Sequence, residues 1–374
     1  MNATDVSAPG AVDRPEVAWF SALCDDDYEY LGVADPALVS SWEHCRDIVL
    51  AAESAGFDNV LLPSGYALGI DGVPFAGGIA AITERIKVLL AVRCGEMWPP
   101  QLARQLAGLD EMLAGRLTVN IISSDLPGAT LASEPRYDRT LEVMTILRTL
   151  LSGEPLEHHG EHYDLELEPP RIARARLDDR VAAGLAPVPP FYFGGLSDPA
   201  REVAARAADV YLMWPDTIDA VAAIIADLTQ RARRHGRELR FGYRVHVVVR
   251  ETEQQARLAA ERLLSGLGRD EGEAIRARSL DVSSAGVSRQ AELRDTAGDD
   301  GYVEDNLWTG ISRARSGCGA AIVGDPDQVL AKLRGYMDLG IDTFILSGYP
   351  HIDEAELFSR YVLGQLREGP LTGP

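Results

Sequence analysis

The sequence predicts an α/β fold, a closed (β/α)8 barrel of parallel strands. Short apolar runs rich in β-formers alternate with segments of helical apolar spacing along most of the chain, giving eight strands. A length of 374 residues suits such a barrel with insertions. The doubly wound open sheet is the main rival, and no GxGxxG opens a βα unit to support it.

The elements follow in order. VAWFSALC (17–24) is the first strand, and WEHCRDIVLAAESAGF (42–57) is a helix that stops at Gly56. NVLLPSG (59–65) is the second strand, FAGGIAAITERI (75–86) a helix, and KVLLAVRCG (87–95) the third strand. PPQLARQLAGLDEMLAGR (99–116) opens on prolines and closes near Gly115, as helices do. LTVNIISS (117–124) is the fourth strand, and RYDRTLEVMTILRTLLSG (136–153) an amphipathic helix. The proline-rich stretch 154–189 reads as an irregular surface excursion with a small hairpin. PFYFGG (190–195) and DVYLMW (209–214) are strands five and six, each followed by a helix; LRFGYRVHVVVRE (239–251) is the long seventh. VGDPDQVLAKLRGYMDLG (323–340) is a helix, and DTFILSG (342–348) the eighth strand.

One segment breaks this rhythm. From about 252 to 320 a helix gives way to a stretch rich in Ser, Gly, Arg and Asp, and insertions of this length are either functional or disordered. The expected organisation is a flexible lead-in (1–16), one catalytic barrel (17–364) and a C-terminal tail (365–374).

The charge is -21, from 57 acidic and 36 basic residues, a field that repels nucleic acid and anionic membrane. No stretch is long and apolar enough to span a bilayer, and the polar N-terminus lacks a secretory apolar region. The chain is expected to be cytoplasmic, with Cys24, Cys45, Cys94 and Cys318 as free thiols, since no CxxC or metal-ligand spacing joins them. No metal site is expected: HExxH is absent, and His158-His159 lies in the proline-rich excursion. GxSxG is absent too.

Barrel chemistry sits at the C-terminal ends of the strands. Strand seven offers Arg244 and His246, two apart and therefore on one face. On an inward face they would serve a pocket; on an outward face they would merely be solvated. After strand five, Gly194 and Gly195 let backbone approach a ligand, and Ser197 stands where a helix N-cap and a phosphate site belong. Trp214 follows strand six, Tyr349 and His351 follow strand eight, and Arg315 ends the irregular segment.

Four pieces in order, YFGGLSDPAREVAARAADVYLMW, GRELRFGYRVHVVVRETEQQA, NLWTGISRARSGCGAAIVGD and LGIDTFILSGYPHIDEA, resemble the flavin-dependent alkanesulfonate monooxygenases of the bacterial-luciferase-like class. The N-terminal half resembles that class more loosely, through LAVRCGEMWPPQLARQLAGLDEMLAGRLTVNIIS and RYD. The resemblance implies a TIM barrel of the luciferase-like type, with insertion segments and a mobile lid over 265–320. It implies FMN as cofactor, delivered as FMNH2 by a separate NAD(P)H-dependent reductase, with O2 as co-substrate. Oxygen adds to the flavin to give a peroxyflavin, and the sulfonate enzymes then break a C–S bond to give an aldehyde and sulfite. The implied active-site residues are Arg244, His246, Trp214, Arg315 and Tyr349; Tyr137, Gly194, Gly195 and Ser197 are implied at the flavin phosphate. A homodimer or homotetramer is implied by the same analogy.

In these roles the arginines hold an anion or the charge of the oxygen adduct, and His246 is an acid or base kept neutral by Arg244. The chain departs from the sulfonate pattern at three loops. Asp25 replaces a histidine after strand one. Ala67 and Leu68 lie where a cysteine is usual after strand two, and NIISSDLPG replaces a glycine-containing loop after strand four. An acidic loop there is a poor neighbour for a sulfonate. Three other readings are the same flavin chemistry on a non-sulfonate metabolite, an F420-dependent hydride-transfer oxidoreductase, and a non-catalytic flavin-binding relative. The retained Arg244, His246, Arg315 and Tyr349 argue against the last.

Overall fold

The computed structural model describes residues 14–66, 69–277 and 284–368. The first four strands are β1 (Glu16–Phe20), β2 (Asn59–Leu62), β3 (Lys87–Arg93) and β4 (Leu117–Ile122), connected through α1 (Trp42–Ala55), α2 (Gly72–Ala80) and α3 (Pro99–Met112). After β4 come α4 (Ser133–Leu151), a hairpin of β5 (Leu156–His159) and β6 (Asp164–Leu167), and α5 (Arg171–Ala182). Next are β7 (Phe191–Phe193), α6 (Asp198–Ala207), β8 (Val210–Met213), α7 (Ile218–Arg234) and β9 (Arg240–Val249). The insertion holds α8 (Glu253–Leu264), α9 (Arg269–Ala277), α10 (Ala285–Thr296), β10 (Tyr302–Glu304) and β11 (Leu307–Trp308). The chain returns through β12 (Ala321–Gly324), α11 (Pro326–Asp338), β13 (Ile341–Ser347), α12 (His351–Phe358) and α13 (Gly364–Arg367).

Eight strands close in the order β1, β2, β3, β4, β7, β8, β9, β13, all parallel, with β13 pairing back onto β1. This is the TIM barrel that the alternating pattern predicts. β9 outlasts its neighbours. Its first half pairs with β8 (Val210↔Arg240 to Met213↔Tyr243), and its second half carries β12 (Ala321↔His246 to Gly324↔Val249). β12 and the antiparallel β11 and β10 thus fan out above the barrel mouth.

Three apolar clusters fill the molecule. The largest lies between strands and helices and includes Trp19, Tyr243, Val245, Val247 and Phe344. A small layer fills the barrel axis, with Leu61, Leu89, Tyr192, Val210 and Ile345. The third lies under the insertion and joins Leu31 of the loop after β1 to Ala260, Leu263, Ile275 and Trp308. The insertion is therefore packed onto the barrel through a core of its own.

Two elements differ from the sequence reading. The excursion expected to be irregular contains α5, which buries only Ala173 and Arg180 and has no apolar stripe. A charge anchors it instead: Arg180 Nη1 meets Asp110 Oδ1 at 2.7 Å, with both side chains buried. The helix expected from 323 begins at Pro326, because Asp325 is its N-cap and forms a capping box with Gln328. Val323 and Gly324 belong to β12. Most of the expected lead-in lies outside the described residues, and helix continues into the expected tail as far as Arg367.

Candidate active site

One cavity of about 370 Å³ opens at the C-terminal end of the barrel. Arg244, His246, Trp214, Arg315, Tyr349, Tyr137, Gly194, Gly195 and Ser197 all line it. Strand periodicity explains the first two. Along β9, Val245 and Val247 face the helices, so Arg244 and His246 face the axis, 5% and 3% exposed.

On the β7 side the wall is neutral. A Cβ on Gly194 would collide with the Leu212 carbonyl oxygen, and one on Gly195 would lie 2.6 Å from the Ala200 methyl and 3.2 Å from the Tyr137 hydroxyl. Ser197 occupies the N-cap position of α6, yet its hydroxyl makes no capping bond. That hydroxyl is buried and has no partner in the protein. A helix start with unused N–H groups, a spare hydroxyl and two close-approach glycines offers the donors and the room that a phosphate group needs.

On the β9 and β13 side the wall is charged and cross-linked. Arg315 donates from Nε to the Tyr349 hydroxyl at 2.8 Å and pairs through Nη1 with Asp25 Oδ2 at 2.7 Å. Asp25 Oδ1 also accepts from the Tyr28 hydroxyl at 3.2 Å. The acidic loop after β1 thus spends a charge on Arg315, and its effect on an incoming anion is much reduced. Arg244 lies over the Phe20 ring at 4.4 Å and gives Nη1 to the Val245 carbonyl. Among the described residues, Nη2 of both arginines and Nε of Arg244 take no protein partner.

His246 is fixed in one tautomer. Nε2 lies 3.2 Å from the Cys318 carbonyl, which can only accept, so the proton sits on Nε2. Nδ1 then accepts from Ser347 Oγ at 2.7 Å. Burial first, then Arg244 and Arg315, hold its pKa well below the usual histidine value. It is a neutral ring, stacked on Tyr349 at 5.3 Å, with both nitrogens engaged. Burial likewise pushes up the Tyr349 phenol and the Cys24 and Cys318 thiols, although the arginines oppose it.

The insertion closes over Trp214. Positions of added Cβ atoms at Gly286 and Gly317 fall 2.9 and 3.1 Å from its indole. Arg289 of α10 grips Asp216 with two bonds of 2.8 Å, and Gln290 donates to the Pro215 carbonyl at 2.8 Å.

Sequence reasoning missed Arg93 and Asp27. Arg93 is 5% exposed, ends β3 facing the cavity, and is held by Glu96 (2.9 Å) and Ser124. A charged last residue on a barrel strand was the available signal. Ala67 and Leu68 lie outside the described residues. His158 pairs with Glu142 and His159 with Asp164; no metal-holding group of three or more His, Cys, Asp or Glu occurs among the described residues. No described helix is long and apolar enough to cross a membrane.

Comparison with known proteins agrees with this fold. Residues 22–343 match the family model "Luciferase-like monooxygenase". A sulfoquinovose monooxygenase of Novosphingobium aromaticivorans is 62% identical over 95% of this chain and 98% of its own. One from Agrobacterium fabrum is 52% identical, covering 95% and 91%. Among solved structures, riboflavin lyase with a modified FMN superposes with a TM-score of 0.74 at 16% identity, over 95% of this chain and 92% of its own. At that identity the likeness speaks to the fold. The family match over most of the chain, and two relatives above 50% identity, place this enzyme among the luciferase-like flavin monooxygenases.

Proposed function

We propose that the enzyme is an FMNH2- and O2-dependent monooxygenase of sulfonated sugars, cleaving the C–S bond of a substrate such as sulfoquinovose. The carrying observation is the pair Arg244 and Arg315, buried on one wall with guanidinium N–H groups left over, facing a neutral phosphate cradle on another. One wall suits the flavin phosphate, and the other a sulfonate. The named activity of the two relatives supports the same choice. Ser64 and Ser123, on the loops where the alkanesulfonate pattern is lost, and Asn120 of β4 also line the cavity. Such groups suit hydroxyls better than an alkyl chain, and the Ser123 hydroxyl is buried without a partner.

Tyr137, Gly194, Gly195 and Ser197 would hold the phosphate of FMN, and the room at the two glycines and the partnerless Ser197 hydroxyl support that reading. When bound, reduced flavin supplies the two electrons that activate O2. Overall, R–CH2–SO3⁻, O2 and FMNH2 give R–CHO, SO3²⁻, FMN, H2O and H⁺. One oxygen atom goes to carbon and the other to water, and sulfite leaves with the C–S electron pair. Arg244 and Arg315 hold the sulfonate, and Tyr349, its hydroxyl set by Arg315, donates toward the reacting oxygen. His246 acts as a neutral, locked ring that packs Tyr349; proton abstraction at Nδ1, which carries the free electron pair, would first require release of the Ser347 hydroxyl. The insertion, with Trp214 beneath it, is the lid that excludes water. A separate NAD(P)H-dependent reductase delivers the reduced flavin, and the enzyme works as a homo-oligomer.

The test is anaerobic titration with reduced FMN, followed by mixing with aerated buffer and sulfoquinovose while sulfite is assayed. Tight binding with sulfite release is expected. Flavin reoxidation without sulfite would move the search to other substrates, and failure to bind reduced FMN would bring F420 forward.

A further inference from the structure

Asp27 lies in the loop after β1, and its side chain is fully removed from solvent. Four N–H donors converge on it. Oδ1 accepts from Nδ1 of His351 at 2.7 Å and from the Tyr28 backbone at 2.9 Å. Oδ2 accepts from the His351 backbone at 2.9 Å and from Nε2 of His44, on α1, at 3.0 Å. Burial opposes the charge, but His351 and His44 outweigh it, so the carboxyl stays well below the usual carboxylate range.

One residue, His351, is therefore held twice, by its backbone and by its ring. The other ring nitrogen, Nε2, is buried with no partner, so the Asp27 bond alone fixes the ring by hydrogen bonding. That ring stands edge-on to Tyr349, with centroids 5.1 Å apart. Tyr349 needs such support. The β13 ladder ends at Ser347, opposite His246, and Tyr349 lies two residues beyond it. Its ring sits between two histidines: His246, fixed by Ser347 and Cys318, and His351, fixed by Asp27. Asp25, two residues before Asp27, holds the other end of the Arg315–Tyr349 hydrogen bond.

We propose that Asp27 is a positioning residue for Tyr349: through His351 it sets the phenol where Arg315 and the reacting oxygen meet it. The inference rests on the reading of the cavity given above. A carboxylate is required because every donor around it is an N–H. Asparagine would turn an amide N–H₂ toward at least one of them, leaving donor against donor.

The experiment is a double-mutant cycle between Asp27→Asn and Tyr349→Phe, read as sulfite released from sulfoquinovose, with kcat and KM separated. Asp27→Asn is expected to lower kcat about tenfold or more while the KM for sulfoquinovose and the Kd for reduced FMN stay within about twofold. In the Tyr349→Phe background it should add less than about a further twofold, because the group it positions is gone. His351→Gln loses the ring clamp but keeps the backbone bond to Oδ2. It should show a smaller kcat loss, again absent beside Tyr349→Phe, and it carries the test if Asp27→Asn does not fold. Equal losses in both backgrounds would make Asp27 merely structural and overturn the proposal, as would a parent-like kcat in both variants. If the parent releases no sulfite from sulfoquinovose, the substrate reading fails by itself. The same cycle is then read in the rate at which air reoxidises bound reduced FMN, with the same non-additivity expected and the same additivity overturning.

Discussion

On the β7 side of the cavity the wall is glycine, backbone N–H and neutral hydroxyl. On the β9 and β13 side it is guanidinium, imidazole, phenol and carboxylate. The first wall holds its groups unspent: Ser197 has a hydroxyl with no partner and caps nothing. The second ties most of its side chains to each other, through Asp25–Arg315–Tyr349, Tyr349–His246 and His246–Ser347, and keeps only part of its two guanidiniums for a ligand. An unspent site suits a ligand that brings its own charge and binds before chemistry starts. A cross-linked site suits groups that must already be oriented when charge develops. Substitutions on the first wall should therefore move flavin affinity, and those on the second should move turnover.

The sharpest way to break that division is Arg315→Ala. It removes the donor on Tyr349 and takes from buried Asp25 the guanidinium paired with it. Turnover, measured as sulfite release, should fall about 10²- to 10³-fold. The Kd for reduced FMN, from anaerobic fluorescence titration, should stay within about twofold. A fall in flavin affinity as large as the fall in turnover would show that the walls do not act separately.

The two walls were also unequally legible in the sequence. Glycines and a serine after a strand are visible in YFGGLSD, because close approach and helix starts depend on local residue type. Arg244 and His246 were legible because period two places both on one face. Their partners were not. Ser347 and the Cys318 carbonyl, which hold His246, come from separate segments, as does Asp25, which pairs with Arg315, and only closure of the barrel brings them together. The same limit hid Asp27, whose partners His44 and His351 lie 17 and 324 residues away. It hid α5 as well, whose anchor is a buried charge pair with Asp110 and not an apolar stripe.

A middle-sized effect tests whether the second wall is as dry and locked as its bonds imply. His246 is neutral when folded, with a pKa pushed well below 6.5, while the unfolded chain protonates it near that value. Below about pH 6.5 the unfolded state binds more protons, so stability falls as pH falls, by up to about 1.4 kcal/mol per pH unit from this group. His246→Gln removes that term. Urea midpoints at about pH 6.5 and about pH 5 should drop less in the variant than in the parent. An equal drop would mean that the ring takes up its proton in place at Nδ1, and that the Ser347 hydroxyl is not a fixed donor to it.

The smallest effect belongs to Ser197→Ala, and its sign carries the information. In the ligand-free protein the hydroxyl is buried without a bond, so deleting it removes a desolvated polar group and costs no hydrogen bond. Thermal stability without flavin should be unchanged or slightly higher. In the proposed complex with reduced FMN the same hydroxyl would donate to phosphate, and its loss should weaken binding by about 1 kcal/mol, roughly fivefold in Kd. An ordinary helix cap behaves the other way: its removal destabilises the free protein by about 1 kcal/mol and leaves ligand affinity alone. A drop in the flavin-free melting temperature with unchanged Kd would therefore make Ser197 a cap and remove the phosphate cradle from the β7 wall. A rise in Kd without that drop would leave the division between the walls standing.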